Sequence, residues 1–268
     1  MLHMRRVLVT RPEREALQWV ASLQARGIDA LALPLIAITP PADVQALELA
    51  RAQVQAGAYS AVMVVSSNAG QHFFDQKTAP ALTQQAQDAI KTRVWSPGPG
   101  TARALQALGV EGSRIDTPAP DAAQFDSESL WAQVHSQVGP GARVLIVRGT
   151  EAGATQEGTG RDWLAQQIRA AGGAVDFVVA YTRGAPVWNA PQQALAREAA
   201  SDGSLWLLSS SQALEHLRAA LPGQDWRQAR ALATHPRIAQ AARNAGFGEV
   251  RECRPALADV AASIESQP

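Results

Sequence analysis

Apolar positions along the chain follow two rhythms. Short unbroken runs, Val7-Leu8-Val9, Val62-Met63-Val64-Val65, Val144-Leu145-Ile146-Val147 and Leu205-Trp206-Leu207-Leu208, have the length and residue types of strands buried on both faces. Between them, apolar residues recur at helical spacing. Leu17, Val20 and Leu23 form one such stripe ahead of Gly27, and Trp163, Leu164, Ile168 and Ala171 form another ahead of Gly172-Gly173. Glycine is the common residue just past a helix end. Each helix then leads into a further strand, at 28–38 and at 174–182. Strands alternating with helices at this spacing predict parallel sheets covered on both sides, an α/β protein.

The pattern occurs twice. Val7 to Pro12 has the shape of Val144 to Gly149, with Arg11 matching Arg148. The run from Ser60 to Asn68 matches Ser204 to Ser211, each ending in hydroxyls suited to cap a following helix. Pro97-Gly98-Pro99-Gly100-Thr101-Ala102 through Gly109 matches Thr234-His235-Pro236-Arg237-Ile238-Ala239 through Gly246. The reading is of a duplication that gives two similar lobes. Ligands in such folds bind at the carboxyl ends of strands, and Arg11/Arg148, Ser67/Ser210 and Thr101/Ile238 all fall at predicted strand ends. Prolines 34, 40 and 41 mark where the chain leaves the first lobe, and Thr182 to Pro186 its return.

Composition narrows the function classes. With 46% hydrophobic and 18% charged residues the chain has material for a sizeable core and is not generally disordered. Lys plus Arg and Asp plus Glu are 24 each. That neutrality argues against a broad nucleic-acid surface or a polybasic membrane anchor. All the basic residues except Lys77 and Lys91 are arginines, whose planar fork suits carboxylates and phosphates. Cys253 is the single cysteine, so no internal disulfide forms. The five histidines are scattered without metal-ligand spacing. No membrane span or signal peptide is evident, and a soluble cytoplasmic protein is expected.

Several segments invite a chemical reading. Thr101 lies between a predicted strand (93–95) and a helix, where backbone N–H groups can hold an anion or Thr can simply cap the turn. The segment is too incomplete for a dinucleotide site, and the Gly149–Gly160 loop lacks the G-K-[ST] of a P-loop, leaving a flexible flap or linker. Ser67 and Ser210, taken as repeat partners, suit helix capping and hydrogen bonding to a ligand. No Ser/His/Asp arrangement surrounds them, so neither is read as a nucleophile. Arg11, Arg148, Arg161, Arg183, Arg230 and Arg237 are candidates for carboxylate binding, with ion pairs to Glu13 or Glu151 as the structural alternative for the first two. Trp19, Trp163 and Trp206 fall on apolar faces and are expected in the core.

The ordered blocks of the chain resemble the uroporphyrinogen-III synthase family. They are Val9-Thr10-Arg11-Pro12, Ser66-Ser67-Asn68-Ala69, Gly98-Pro99-Gly100-Thr101-Ala102 with Leu105 and Gly109, and Asp126-Ser127-Glu128-Ser129-Leu130. Val144 to Gly149, Gly160-Arg161-Asp162-Trp163-Leu164, Gly173-Ala174-Val175 leading to Tyr181-Thr182-Arg183, and Pro236-Arg237-Ile238-Ala239 follow in turn. Their order and spacing over nearly the whole chain make the resemblance specific. It implies two α/β lobes joined by a two-stranded connection, with an active-site cleft between them. One lobe takes 1–36 and 184–268, the other 37–183.

The implied activity is cyclisation of hydroxymethylbilane, a linear tetrapyrrole, to uroporphyrinogen III, with inversion of ring D and loss of water. The implied protein is a monomer that uses no cofactor or metal. Tyr181, one of two tyrosines, lies in the predicted connection and matches the tyrosine the family is thought to use as acid or hydroxyl-positioning group. The resemblance also makes Ser67, Thr101 and Ser210 ligand contacts, and Arg230 stands where a basic residue is familiar. Arg237 departs from the pattern, since several members carry a hydroxyl residue after that proline. A two-lobed binding or sensor module without the chemistry, and a nucleotide-binding α/β protein, are the competing readings.

Overall fold

The computed structural model describes residues 6–74, 78, 91–119, 122, 124–153 and 162–266. The chain divides into two compact units, one taking the described residues up to Ile38 and from Gly184 on, the other spanning Thr39–Arg183.

The first unit is built on a five-stranded parallel sheet. Its strands are β1 (Val7–Val9), β2 (Ala30–Ala32), β9 (Leu205–Leu208), β10 (Arg230–Ala233) and β11 (Glu249–Glu252), in the spatial order β2-β1-β9-β10-β11. Alternate side chains feed two cores, because successive residues of a strand point to opposite faces. Val7, Val9, Leu205 and Leu207 pack on one side with helices α1 (Glu13–Gln24) and α10 (Leu257–Glu265). Leu8, Trp206 and Leu208 pack on the other with α7 (Ala190–Glu198), α8 (Ser211–Ala220) and α9 (Pro236–Asn244). The buried stripe of α1 is Ala16, Trp19, Val20 and Leu23, at i, i+3, i+4 and i+7. Leu17, expected on that stripe, is 55% exposed. Trp19 stands on the stripe instead, three residues after Ala16 and four before Leu23, with the Arg11 guanidinium 4.1 Å over its ring.

The second unit carries most of a six-stranded sheet in the order β3-β8-β7-β4-β5-β6, whose edge strand β3 begins before the unit boundary. These are β3 (Ala37–Thr39), β4 (Ala61–Val64), β5 (Arg93–Trp95), β6 (Ile115–Asp116), β7 (Arg143–Glu151) and β8 (Ala174–Gly184), and β4 to β8 run parallel where they pair. One face packs Met63, Trp95, Val144 and Ile146 against α5 (Ser127–Val134) and α6 (Asp162–Ala170). On α3 (Ser67–Phe73), Gly70 lets the helix approach both Val64 and Leu105 of α4 (Pro99–Ala107). A Cβ at Gly70 would stand 3.1 Å from Leu105 and 3.5 Å from Val64. The helix α2 (Val44–Gln55) opens with Asp43, whose side chain accepts from the Ala46 N–H.

Strand by strand, β1, β2, β9, β10 and β11 stand in the same spatial order as β7, β8, β4, β5 and β6. The duplication is therefore a duplication of topology, entered by the chain at different points. Its helix ends agree as well: Gly109 and Gly246, just past α4 and α9, take left-handed φ of 96° and 98°.

Three expectations need correction. The single strand at 28–38 is two strands in different sheets, β2 and β3, since Pro34 interrupts the run. Gly149 to Glu151 is not loop but the end of β7, paired with Tyr181 to Arg183; 154–160 lies outside the described residues. Trp163 is 36% exposed on the outer side of α6, where Leu164, Ala165 and Ile168 carry the burial.

Candidate active site

In an open parallel sheet the connections from two adjacent strands diverge where the strand order reverses, opening a crevice at their carboxyl ends. The reversal falls between β1 and β9 in the first unit and between β7 and β4 in the second. Most of the sequence candidates stand at these edges.

In the second unit the edge is built around Tyr181. A register shift between Arg148 and Gly149 sets Gly149 opposite Tyr181. The phenol ring fills the space a side chain at residue 149 would take: a Cβ there would lie 2.3 Å from Tyr181 Cζ. Tyr181 is 5% exposed. Its hydroxyl lies 3.3 Å from Ser66 Oγ, and its ring centroid lies 5.8 Å from that of His72. Ser66 also accepts the Ala69 N–H at 3.1 Å. It is the N-cap of α3, with extended φ of −162°, and Ser67 is the first helical residue. The expected cap at Ser67 is thus displaced by one. The signal was in the repeat itself: Val64 and Leu208 end matching strands, so Ser66, not Ser67, corresponds to Ser210.

Three further candidates stand at or near this edge or at its counterpart in the first unit. Thr101 is the third residue of α4, after Pro99 and Gly100. The N–H groups of Gly100 and Thr101 belong to the first turn, where backbone donors lack intrahelical acceptors, so the helix start suits an anion. Arg148 precedes Gly149, and its guanidinium lies 4.4 Å over the Phe177 ring. In the first unit Ser210 is the N-cap of α8 but makes no side-chain cap bond, and the neighbouring Ser209 Oγ is buried with no hydrogen-bond partner among the described residues.

Arg11, just past β1, forms an ion pair with Glu15 at 3.3 Å, not with Glu13. Burial pulls its guanidinium below the ordinary arginine value, and Glu15 acts against that shift. Arg237 is the second residue of α9, exposed, its N–H bonded to the His235 ring. Glu151, the alternative partner for Arg148, lies 3.8 Å from Arg183.

Two candidates do not join these groups. Arg161 lies outside the described residues. Arg230 is the first residue of β10, at the amino edge, with its Nε 2.6 Å from Glu249 on the next strand. Hydrogen bonding from Arg230 holds the Glu249 carboxyl below the ordinary glutamate range. A carboxylate so depressed adds stability above its unfolded pKa, and that stability is lost as pH falls through the lower folded value. Arg230→Gln is therefore expected to cost about 1 kcal/mol at neutral pH, the pair being partly screened, and to flatten the acid limb of stability against pH. Urea unfolding across a pH series from neutral into the acid range reads both; an undiminished acid limb in the variant would contradict this role.

No cluster of His, Cys, Asp or Glu suited to a metal occurs among the described residues. Among them, too, no helix is long and apolar enough to cross a membrane.

Each of the two α/β units carries hydroxyls, arginines and helix starts at the carboxyl ends of its strands. The sequence model of the family described as Uroporphyrinogen-III synthase HemD matches residues 18–260, and the chain belongs to that family. A uroporphyrinogen-III synthase of Chlorobaculum parvum (strain DSM 263 / NCIMB 8327) is 31% identical over 151 residues, 55% of this chain and 54% of that protein. The match thus spans about half of the relative's length. Among solved structures, uroporphyrinogen-III synthetase from Helicobacter pylori 26695 aligns over 98% of both chains at 12% identity with a TM-score of 0.54. That likeness concerns the fold. A mutant uroporphyrinogen III synthase from the extremely thermophilic bacterium Thermus thermophilus covers 94% of both chains at 17% identity, with a TM-score of 0.46.

Proposed function

We propose that the chain catalyses the closure of hydroxymethylbilane to uroporphyrinogen III, with inversion of ring D. The observation that carries the reading is the Tyr181 hydroxyl at 3.3 Å from Ser66 Oγ at the strand-end edge of the second unit, in a chain of this family. Ser66 already accepts a backbone N–H, so its own proton is available to the phenol oxygen. With Ser66 donating, the Tyr181 proton is left for the substrate. It passes to the hydroxymethyl oxygen, the C–O bond breaks, and water leaves. The electron-rich pyrrole supplies the electron pair and becomes an azafulvene cation. Attack by the substituted carbon of ring D gives a spiro intermediate, and fragmentation and reclosure invert the ring. Loss of a proton restores the aromatic pyrrole and returns the phenol to its starting state.

These steps involve no net oxidation, and the pyrrole itself drives the ionisation, so the reaction calls for neither redox cofactor nor Lewis acid. Much of the enzyme's contribution is to hold one folded conformation of a chain that closes without inversion when free. Substrate carboxylates would meet the helix start at Thr101 and the guanidinium of Arg148 in the second unit, and Arg11, Ser210 and Arg237 in the first. Ser67 would contribute through its hydroxyl or N–H at the start of α3. The protein acts as a monomer in the cytoplasm on this reading.

The test is a coupled assay with freshly made hydroxymethylbilane, separating the isomer I and III products. Wild-type protein is expected to give isomer III. Isomer I alone, at the spontaneous rate, would leave a ligand-binding module and sink the proposal. A phenol is a weak acid at neutral pH, so Tyr181→Phe should lower kcat by about 10- to 100-fold without abolishing isomer III.

A further inference from the structure

Tyr181 is held by more than its hydroxyl. The His72 imidazole lies 5.8 Å from the phenol ring, centroid to centroid, at an interplanar angle of 30°. That is within the range where paired rings attract beyond their buried area. The backbone of His72 is itself fastened. Arg51, on α2, donates from Nη2 to the His72 carbonyl at 2.7 Å and from Nε to the Phe73 carbonyl at 2.8 Å. These carbonyls close the last turn of α3, where helical acceptors run out of donors and a cation meets the negative end of the helix dipole. At the other end Ser66 caps the same helix. One seven-residue helix, fixed at both ends, thus presents two groups to Tyr181: a hydroxyl to its hydroxyl and a ring to its ring. On the β7 side the phenol lies in the space left by Gly149, which has no side chain.

We propose that His72 is a positioning residue for Tyr181: its ring confines the phenol to the rotamer in which the hydroxyl reaches Ser66. A side chain has few staggered alternatives, each of which carries the phenol oxygen several ångströms away. The ring wall therefore selects the one productive placement. The activity readout of this inference rests on the reaction proposed above; its structural readout does not.

The chain has two tyrosines, Tyr59 and Tyr181, so ring-¹³C-labelled tyrosine gives two sets of NMR signals, assigned by the loss of one set in Tyr181→Phe. His72→Ala is expected to shift and broaden the Tyr181 signals and leave those of Tyr59 in place. His72→Phe, which keeps a ring, should restore them. In turnover, His72→Ala should lower kcat about tenfold with KM changed less than about twofold, and His72→Phe should recover most of the loss. Added to Tyr181→Phe, His72→Ala should cost less than about twofold, because there is no longer a hydroxyl to place. Unmoved Tyr181 signals in His72→Ala, or losses that multiply in full with Tyr181→Phe, would overturn the inference. If wild-type protein forms no isomer III, the proposed reaction fails, and the tyrosine signals alone still decide the positioning role.

Discussion

Gly149→Ala is expected to reduce turnover at least about 100-fold, more than removing the Tyr181 hydroxyl does, through a single added methyl group. The backbone of Gly149 does not have the left-handed φ that requires glycine, so the demand is one of space. An added Cβ would stand 2.3, 2.6 and 2.7 Å from Cζ, Cε2 and Cε1 of Tyr181. All three are inside van der Waals contact, and the β7–β8 pairing holds both backbones in register. The ring must shift, and its hydroxyl loses its place 3.3 Å from Ser66 Oγ. Tyr181→Phe loses a proton donor but keeps the ring in place, whereas Gly149→Ala displaces both. Overpacking of this kind costs about 2 kcal/mol of stability. In a Tyr181→Ala background the clash is gone, and the two stability losses should fall short of their sum by about 1 kcal/mol or more, with activity still lost. Urea midpoints and the isomer assay measure the two effects. A Gly149→Ala protein with wild-type turnover would show that the ring is not confined by β7.

Gly248→Ala should give the largest loss of stability, about 3 kcal/mol or more, with little direct effect on the site. A Cβ at residue 248 would lie 1.9 Å from the Arg227 carbonyl oxygen and 2.8 Å from its carbon. Backbone atoms cannot rotate aside as a side chain does. The Gly248 N–H bonds the carbonyls of Trp226 and Ala229, at 3.2 and 3.1 Å, and the segment leads directly into the pairing of Arg230 with Glu249. Movement there also disturbs the stacked rings of Trp226 and Phe247, 5.3 Å apart and 5° from parallel. Chemical denaturation of the full chain would register the loss as a lower midpoint at unchanged slope. A cost below about 1 kcal/mol would mean that the 226–229 turn yields easily.

Much of this architecture was legible in the apolar runs, because strands buried on both faces leave an unbroken signature and the same signature appears twice. The carboxyl-edge placement of Arg11, Thr101 and Arg148 followed from it, whereas Tyr181 was singled out by the family resemblance. What escaped depends on which partner a polar group finds. Arg230 and Arg148 both flank strand cores, yet Arg230 faces Glu249 at the amino edge, and that pairing becomes visible only once β11 is set beside β10. Ser66 and Ser67 are chemically identical neighbours, and only the helix geometry tells the cap from the first helical residue. Leu17 and Trp19 both fit an apolar stripe with Val20 and Leu23, and only the packing against the sheet shows that Trp19 joins it and Leu17 does not. His72 carried no pattern at all, since ring contacts between α3 and β8 leave no periodicity to read.

The different points at which the chain enters its two sheets bear on how the protein is made. Every strand of the second unit lies within one continuous stretch, so a ribosome delivers that unit whole. The first unit is interrupted at its centre: β1 must pair with β9, and the Thr10 hydroxyl closes on the Leu207 carbonyl across 197 residues of sequence. Closing so long a loop on an unfolded chain is entropically expensive. Once the intervening unit has folded, its two ends are tethered side by side as β3 and β8, and the loop is short in effect. Translation order then dictates assembly order. The early strands β1 and β2 can complete their sheet only after β9 has been made, and until then an open, apolar sheet edge is of the kind that aggregates.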